Sequence, residues 1–269
     1  MLSNITNLIL DMDGVLWRGD MPMPGLIPFF DTLRQSKIGF VLATNNATKT
    51  AEQYKLKLSK LGVEVSENQI LTSAEVTASY LSERNPAGTP VYIIGTTGLH
   101  DAMGAKGFQI IGADDVEKGA TAPLVVAGFT PDAVYRDLAM GSLLVHRGAT
   151  FVGTNPDPSI PSELGPLPGA GALLAVVTAA TGVEPITVGK PGPIIFGEAI
   201  RLLGGTKENT AMVGDRLSTD IAGAKSAGLW AILLLSGISS REDIEQSDIK
   251  PDFVFSGINE LAKELTRQG

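Results

Sequence analysis

The sequence predicts an α/β protein, a doubly wound parallel sheet of Rossmann-like type that carries a large inserted α/β unit. Three observations predict it. The apolar runs that read as strands are nearly continuous rather than alternating, as strands buried on both faces of a parallel sheet must be. Helix-periodic segments separate them, the pattern of strand-helix-strand crossovers. Polar, chemistry-bearing residues follow directly on the ends of several runs, where open α/β sheets bind their ligands.

The elements justify this in order. Residues 5–10 form an apolar strand that ends at Asp11. A second run, 40–43, ends at Thr44-Asn45-Asn46, and a helix follows in which Thr50 and Gln53 have the spacing of a capping box. Ala51, Tyr54, Leu58 and Leu61 mark its apolar face, and Gly62 closes it. Between about residue 75 and about residue 185 the pattern starts afresh, with strands at 91–94, 124–127 and 150–152 and helices near 134–145 and 171–180. Residues 186–188 then lead into Gly189-Lys190-Pro191-Gly192-Pro193 and a helix. Strand 210–213 ends at Gly214-Asp215, 218–227 is helical, and 230–235 is a last apolar strand. On this reading residues 1–78 and 186–269 form a discontinuous catalytic core, and 79–185 form the insertion.

Composition narrows the chemistry. The 269 residues are 43% hydrophobic and 19% charged, ordinary values for a folded globular chain. There is no cysteine, which removes disulfides, thiolate metal sites and thiol nucleophiles together. The two histidines, His100 and His146, are too few for a multi-histidine zinc site and ill-suited to a serine-histidine triad. With 29 acidic against 21 basic residues and a net charge of −8, the surface repels a polyanion, so no nucleic acid polymer is expected as partner. No stretch approaches the roughly 18 apolar residues that span a bilayer, and the start lacks the basic flank of a signal peptide. The chain therefore reads as cytoplasmic with no membrane partner, and its catalysis must rest on carboxylates, lysine, asparagine and hydroxyls.

Asp11-Met12-Asp13-Gly14-Val15 sets two carboxylates at i and i+2 just past a buried strand, and Gly14 permits a sharp turn. Like charges so close call for a cation, and Mg²⁺, with its preference for oxygen ligands, suits them. Asp215 arrives from another strand end. A carboxylate can attack phosphorus and form an acyl phosphate that water then hydrolyses. Asp11 fits that nucleophilic role, and Asp13 fits the acid that protonates the leaving oxygen and the base that then activates water. Lys190 is the cation available to a phosphoryl group, with Thr44, Asn45 and Asn46 as neutral donors. Taken singly, each motif has a plain structural account as a turn, an N-cap cluster or a loop with a solvated charge. Four such motifs at strand ends, in an order that makes one site, argue for chemistry.

Together these residues resemble the haloacid dehalogenase superfamily of phosphatases, in its subfamily IIA, p-nitrophenylphosphatase or NagD-like branch. Asp11-Met12-Asp13-Gly14-Val15 resembles the first motif, Thr44-Asn45-Asn46 the second, Lys190 the third, and Gly214-Asp215 with Asp220 the fourth. The resemblance implies a HAD-like core with a large cap between the second and third motifs. It implies that Asp11, the backbone carbonyl of Asp13 and Asp215 hold Mg²⁺, with Asp220 behind them. It further implies that Thr44, Asn45, Asn46 and Lys190 hold the phosphoryl oxygens, and that Lys190 restrains Asp11. The expected activity is hydrolysis of small phosphorylated metabolites, whether nucleoside monophosphate, phosphoglycolate, sugar phosphate or aryl phosphate, through an aspartyl phosphate. Caps of this branch often act as dimerisation surfaces, which makes a homodimer the expectation.

In the cap, Asn155 and Asp157 of Gly153-Thr154-Asn155-Pro156-Asp157 are either contacts to the leaving group or shapers of a turn. The loop beyond offers Ser159, Ile160, Ser162 and Glu163 but no basic residue. Trp17 and Trp230 read as packing residues, with Trp17 near enough to the first motif to brush a substrate. Two other uses of the same residues are a phosphotransferase that passes the phosphoryl group to an alcohol, and a non-catalytic sensor of phosphorylated ligands. The presence of both Asp11 and Asp13 tells against the sensor.

Overall fold

The computed structural model describes residues 2–160 and 164–267. Ser162 and Glu163, named above for the cap loop, lie outside the described residues.

The chain divides into two compact units, one of Met1–Thr44, Ala51–Leu71 and Lys190–Gly269, the other of Asn45–Thr50 and Thr72–Gly189. In the first, six strands form a sheet in the order Phe253–Phe255, Trp230–Leu234, Thr210–Gly214, Asn7–Leu10, Gly39–Thr44, Ile70–Thr72. The pairings from Phe253–Phe255 across to Gly39–Thr44 are parallel. Asn7–Leu10 is central. The chain builds outward from it on one side, then returns to its other flank at Thr210–Gly214 to build the second half. That reversal is a topological switch point, and the carboxyl ends of the two flanking strands open a crevice there. Asp11 and Asp215 are the first residues beyond those two ends.

The strands were expected to be buried on both faces, and they are. Leu8, Ile9, Leu10, Met212, Val213, Ile232 and Leu233 are wholly inaccessible to solvent. Helix Leu26–Gln35 covers one face through Phe29, Phe30 and Leu33, with Phe30 edge-on to Phe40 of the sheet at 5.1 Å between ring centroids. Helix Ile258–Thr266 adds Ile258, Leu261 and Leu265 to the same core.

The second unit has its own sheet, five parallel strands in the order Ile186–Thr187, Thr150–Gly153, Leu124–Ala127, Pro90–Ile94, Gln109–Ile111. Helices Tyr135–His146 and Ala170–Thr181 pack Leu144, Val145, Leu174 and Val177 against it. A doubly wound core with a large inserted α/β unit is therefore the fold.

Three details depart from the expectations. The first strand starts at Asn7 rather than residue 5, because Leu2–Asn4 is a single 3₁₀ turn. The helix expected over 218–227 begins as a π turn, Leu217–Ile221, before continuing as Ala222–Ala227. The strand that precedes Lys190, Ile186–Thr187, pairs with Val152 and Gly153 in the second sheet, so no strand of the first sheet delivers that lysine. Among the described residues no helix is long and apolar enough to cross a membrane.

Both tryptophans, Trp17 and Trp230, belong to the first unit, so tryptophan fluorescence reports on that unit. Phe30→Ala should lower its stability by about 3–5 kcal/mol, the cost of a large ring removed from a close-packed core. Urea titration followed by tryptophan fluorescence measures this, and a loss under about 1 kcal/mol would mean that the site collapses to fill the void.

Candidate active site

The first unit gathers Asp11, Asp215 and Asp220 into one cluster, each offering a carboxylate oxygen within 4.8 Å of the others. All three are buried, at 9%, 5% and 2% exposure. Asp11 and Asp215 are there because they end adjacent parallel strands. Asp220 is there because of the π turn. The N–H of Ile221 reaches back five residues to the carbonyl of Arg216, and the widened turn faces the Asp220 carboxylate inward, where it accepts from the Arg216 N–H at 3.1 Å.

Lys190, 2% exposed, supplies the positive charge. Its ammonium donates to Asp11 Oδ1, pairs with Asp220 Oδ1 at 2.7 Å and donates to the Ala43 carbonyl at 3.1 Å. Burial alone would favour a neutral lysine. Asp11 and Asp220 outweigh burial and hold the Lys190 pKa above its usual value. Burial pushes the Asp11 carboxyl well above the usual carboxylate range against the pull of Lys190, with Asp220 and Asp215 adding to the rise. Asp215 is pushed up to about 6, again by burial first and Asp220 second, while the hydrogen bond from the Ile238 N–H opposes the rise.

Three carboxylates facing one ammonium leave an excess of two negative charges in a buried site. Hard oxygen donors with that excess fit a small divalent cation of the Mg²⁺ type and offer nothing to a soft metal. The surrounding backbone is shaped for the carboxylates. Gly14 has φ +85°, and a Cβ there would lie 2.3 Å from Asp215 Oδ2. At Gly237 it would lie 1.8 Å from the same oxygen. The loop holding Gly237 was not singled out from the sequence, yet it brackets the site. Ile238 N–H donates to Asp215 Oδ2 at 2.9 Å, and Ser236 Oγ donates to the Gly14 carbonyl at 2.8 Å.

Asp13 is not in the buried cluster. Its side chain is exposed, and its Oδ1 accepts a 2.8 Å hydrogen bond from the indole Nε1 of Trp17. Trp17, expected to pack, does so completely at 0% exposure and bonds the first motif as well. Thr44 is buried at the end of its strand, close to the Tyr54 hydroxyl.

The remaining candidates lie in the second unit. Asn45 Nδ2 donates to Asp157 Oδ2 at 3.1 Å. The Asn45 carbonyl accepts from Ser73 Oγ at 2.7 Å and from Asn155 Nδ2 at 2.8 Å. Asn155 in turn accepts from the Asp157 N–H at 3.1 Å, so both named residues of that segment brace the Asn45 loop. Asn46 Oδ1 accepts from the N–H and hydroxyl of Thr48, an Asx-type turn that fixes the loop before the following helix.

Comparison with known proteins places these features. Residues 8–109 match the family model described as haloacid dehalogenase-like hydrolase, and residues 187–261 match a second, HAD-hydrolase-like model. The acid sugar phosphatase of Staphylococcus aureus is 39% identical over 259 residues, covering 96% of this chain and 97% of that protein. The structure of a 4-nitrophenylphosphatase from Thermotoga maritima superposes with a TM-score of 0.90 at 37% identity, over 97% of this chain and 98% of that one. A glycerol phosphate phosphatase from Mycobacterium tuberculosis, solved in complex with magnesium, gives 0.87 at 30% identity, over 98% and 79% respectively.

The raised pKa of Asp215 has a signed consequence. In the metal-free fold the proton is held more tightly than in the unfolded chain, so this group's contribution to stability is present below about pH 4 and is lost as pH rises through about 6. A divalent cation competes with that proton and restores stability above it. Thermal melting should therefore show a Mg²⁺-induced rise in Tm that is small near pH 5 and large near pH 7.5. Equal rises at both would remove the competition from the account.

Proposed function

The chain belongs to the haloacid dehalogenase-like hydrolases, in their 4-nitrophenylphosphatase and NagD-like branch, and is a phosphatase; on that premise we propose that it hydrolyses small phosphomonoesters with Mg²⁺ through an aspartyl phosphate on Asp11. The observation that carries this reading is the Asp11 carboxylate itself, at the switch point of the sheet, gripped by Lys190 and crowded by two further buried aspartates.

Asp11 and Asp215, with the backbone carbonyl of Asp13, would hold the cation, and Asp220 offers one more oxygen in the same cluster. When bound, Mg²⁺ offsets the charge of the phosphoryl oxygens and so lets an anionic nucleophile meet an anionic substrate. The other work falls to side chains. Lys190 holds one Asp11 oxygen in place, which keeps the carboxylate oriented for in-line attack. An Asp11 oxygen bonds to phosphorus as the bond to the leaving oxygen breaks, and Asp13 gives that oxygen its proton. Asp13, now a carboxylate, takes a proton from water as the water oxygen bonds to phosphorus and the bond from phosphorus to the Asp11 oxygen breaks. Inorganic phosphate leaves, and both aspartates return to their starting states. Thr44 and Lys190 are donors for the phosphoryl oxygens, and the family resemblance gives Asn45 and Asn46 the same task.

For the substrate we favour a monophosphate whose leaving group is uncharged, such as a sugar, polyol or aryl alcohol. Residues 158–168 hold no Arg, Lys or His to bind a second anionic group. The three relatives described above are named for sugar, nitrophenyl and glycerol phosphates, which agrees with that absence.

Phosphate release from a panel of sugar, glycerol, aryl and nucleoside monophosphates tests the proposal, with Mg²⁺ and with chelator. Release should require the metal and disappear in Asp11→Asn. Asp13→Asn should lower kcat by roughly 10²–10⁴-fold, the usual contribution of a general acid-base group, with little effect on binding of inorganic phosphate. A wild-type rate in Asp11→Asn would rule out the covalent route.

A further inference from the structure

The general acid of a phosphatase must be held where the leaving oxygen will be, and an aspartate on an exposed turn has rotamers to lose. Asp13 is such an aspartate. Its side chain is exposed, unlike the buried cluster beside it, and packing therefore does little to fix its χ angles. Among the described residues, the hydrogen bond to its carboxylate comes from the indole N–H of Trp17, at 2.8 Å from Oδ1.

Much of the local structure serves that tether. The turn from Asp13 to Trp17 is closed by hydrogen bonds from the Gly14 N–H to the Trp17 carbonyl at 2.7 Å and from the Leu16 N–H to the Met12 carbonyl at 2.8 Å. Trp17 itself is wholly buried, and its ring stacks on Tyr54 at 6.2 Å between centroids and 17° between planes. The Lys57 ammonium lies 4.4 Å from the indole centroid, held there by the Gly19 carbonyl at 2.7 Å and Asp20 at 3.7 Å. A cation over an indole draws density from the ring and makes its N–H a stronger donor. A rigid, polarised donor thus meets a carboxylate that would otherwise swing.

We propose that Trp17 is a positioning residue for the phosphatase reaction, in which its indole N–H fixes the Asp13 carboxyl for proton transfer to the leaving group. It rests on the reading of Asp13 as acid and base given above. The N–H occupies Oδ1, so the transferred proton travels on Oδ2. Trp17 makes no bond to phosphate in this role, and its loss should fall on kcat rather than on KM.

The test uses a series of aryl phosphates from phenyl phosphate to 4-nitrophenyl phosphate. Phenolate is the poorer leaving group and needs the acid more. Because kcat/KM ends at formation of the aspartyl phosphate, its dependence on the leaving group reads proton donation and excludes the later hydrolysis. Wild type should show a shallow dependence, Asp13→Asn a steep one, and Trp17→Phe an intermediate one. The phenyl phosphate loss in Trp17→Phe should be on the order of tenfold, the size expected for one hydrogen bond to a charged group, and distinctly smaller for 4-nitrophenyl phosphate. The inhibition constant of inorganic phosphate should stay at its wild-type value. Because Trp17 is fully buried and Phe is smaller, a second variant carries benzothienylalanine at position 17, which keeps the shape and replaces N–H with sulfur. It should reproduce the Trp17→Phe dependence and decides the matter alone if Trp17→Phe does not fold. A wild-type dependence in the benzothienyl variant, with Asp13→Asn still steep, would overturn the proposal and leave the acid intact. An equal loss on every substrate would overturn it in favour of packing. A wild-type dependence in Asp13→Asn would remove the acid itself, and the role of Trp17 with it.

Discussion

Three carboxylates and a lysine share a volume from which water is almost absent, and that crowding governs the rest of the first unit. Taking such charges out of solvent costs several kcal/mol each unless they are well paired. Lys190 answers part of the cost by bonding Asp11 and Asp220 together. The remainder appears as the upward shifts of Asp11 and Asp215. A site that is short of positive charge in this way is poised for a divalent cation and then for a phosphoryl group. Hydrophobic residues of similar volume would be cheaper to bury, so the charges persist for chemistry rather than for stability.

The sheet makes the crowding tolerable. Parallel strands end with backbone groups and side chains aimed at the same crevice, and the switch in winding direction sets that crevice between Asn7–Leu10 and Thr210–Gly214. Wholly buried Leu, Ile, Met and Val along both strands hold their ends in register. Around them, local backbone choices follow from the need for room. Glycine stands at positions 14 and 237 because a side chain at either would strike Asp215, and the turn at 217–221 widens to face Asp220 inward. The second unit repeats the same logic with a different result. Its own parallel sheet carries Asn155 and Asp157 just past Thr150–Gly153, where they grip the Asn45 loop.

Much of this architecture is legible in one dimension, for a clear physical reason. Strands buried on both faces must be apolar throughout, so Leu8 to Leu10 or Leu124 to Ala127 could be read without knowledge of their neighbours. The residue that follows such a strand is thereby located at the sheet edge, which is why Asp11, Thr44 and Asp215 stood out. An aspartate pair at i and i+2 and a lone lysine flanked by glycine and proline are chemically expressive at any stage. Tertiary structure alone decided what depends on partners distant in sequence. The strand before Lys190 joins the second sheet, a pairing with Val152 and Gly153 that no local pattern encodes. The π turn depends on two backbone bonds that each reach back five residues, from Ile221 to Arg216 and from Ala222 to Leu217. Gly237 matters only through Asp215, more than twenty residues earlier, and Asn155 only through Asn45. Trp17 is the sharpest case. Its apolar bulk announced a packing residue, which it is, but the direction of a single indole N–H is set by the turn that closes on Asp13, and a one-dimensional pattern carries no directions.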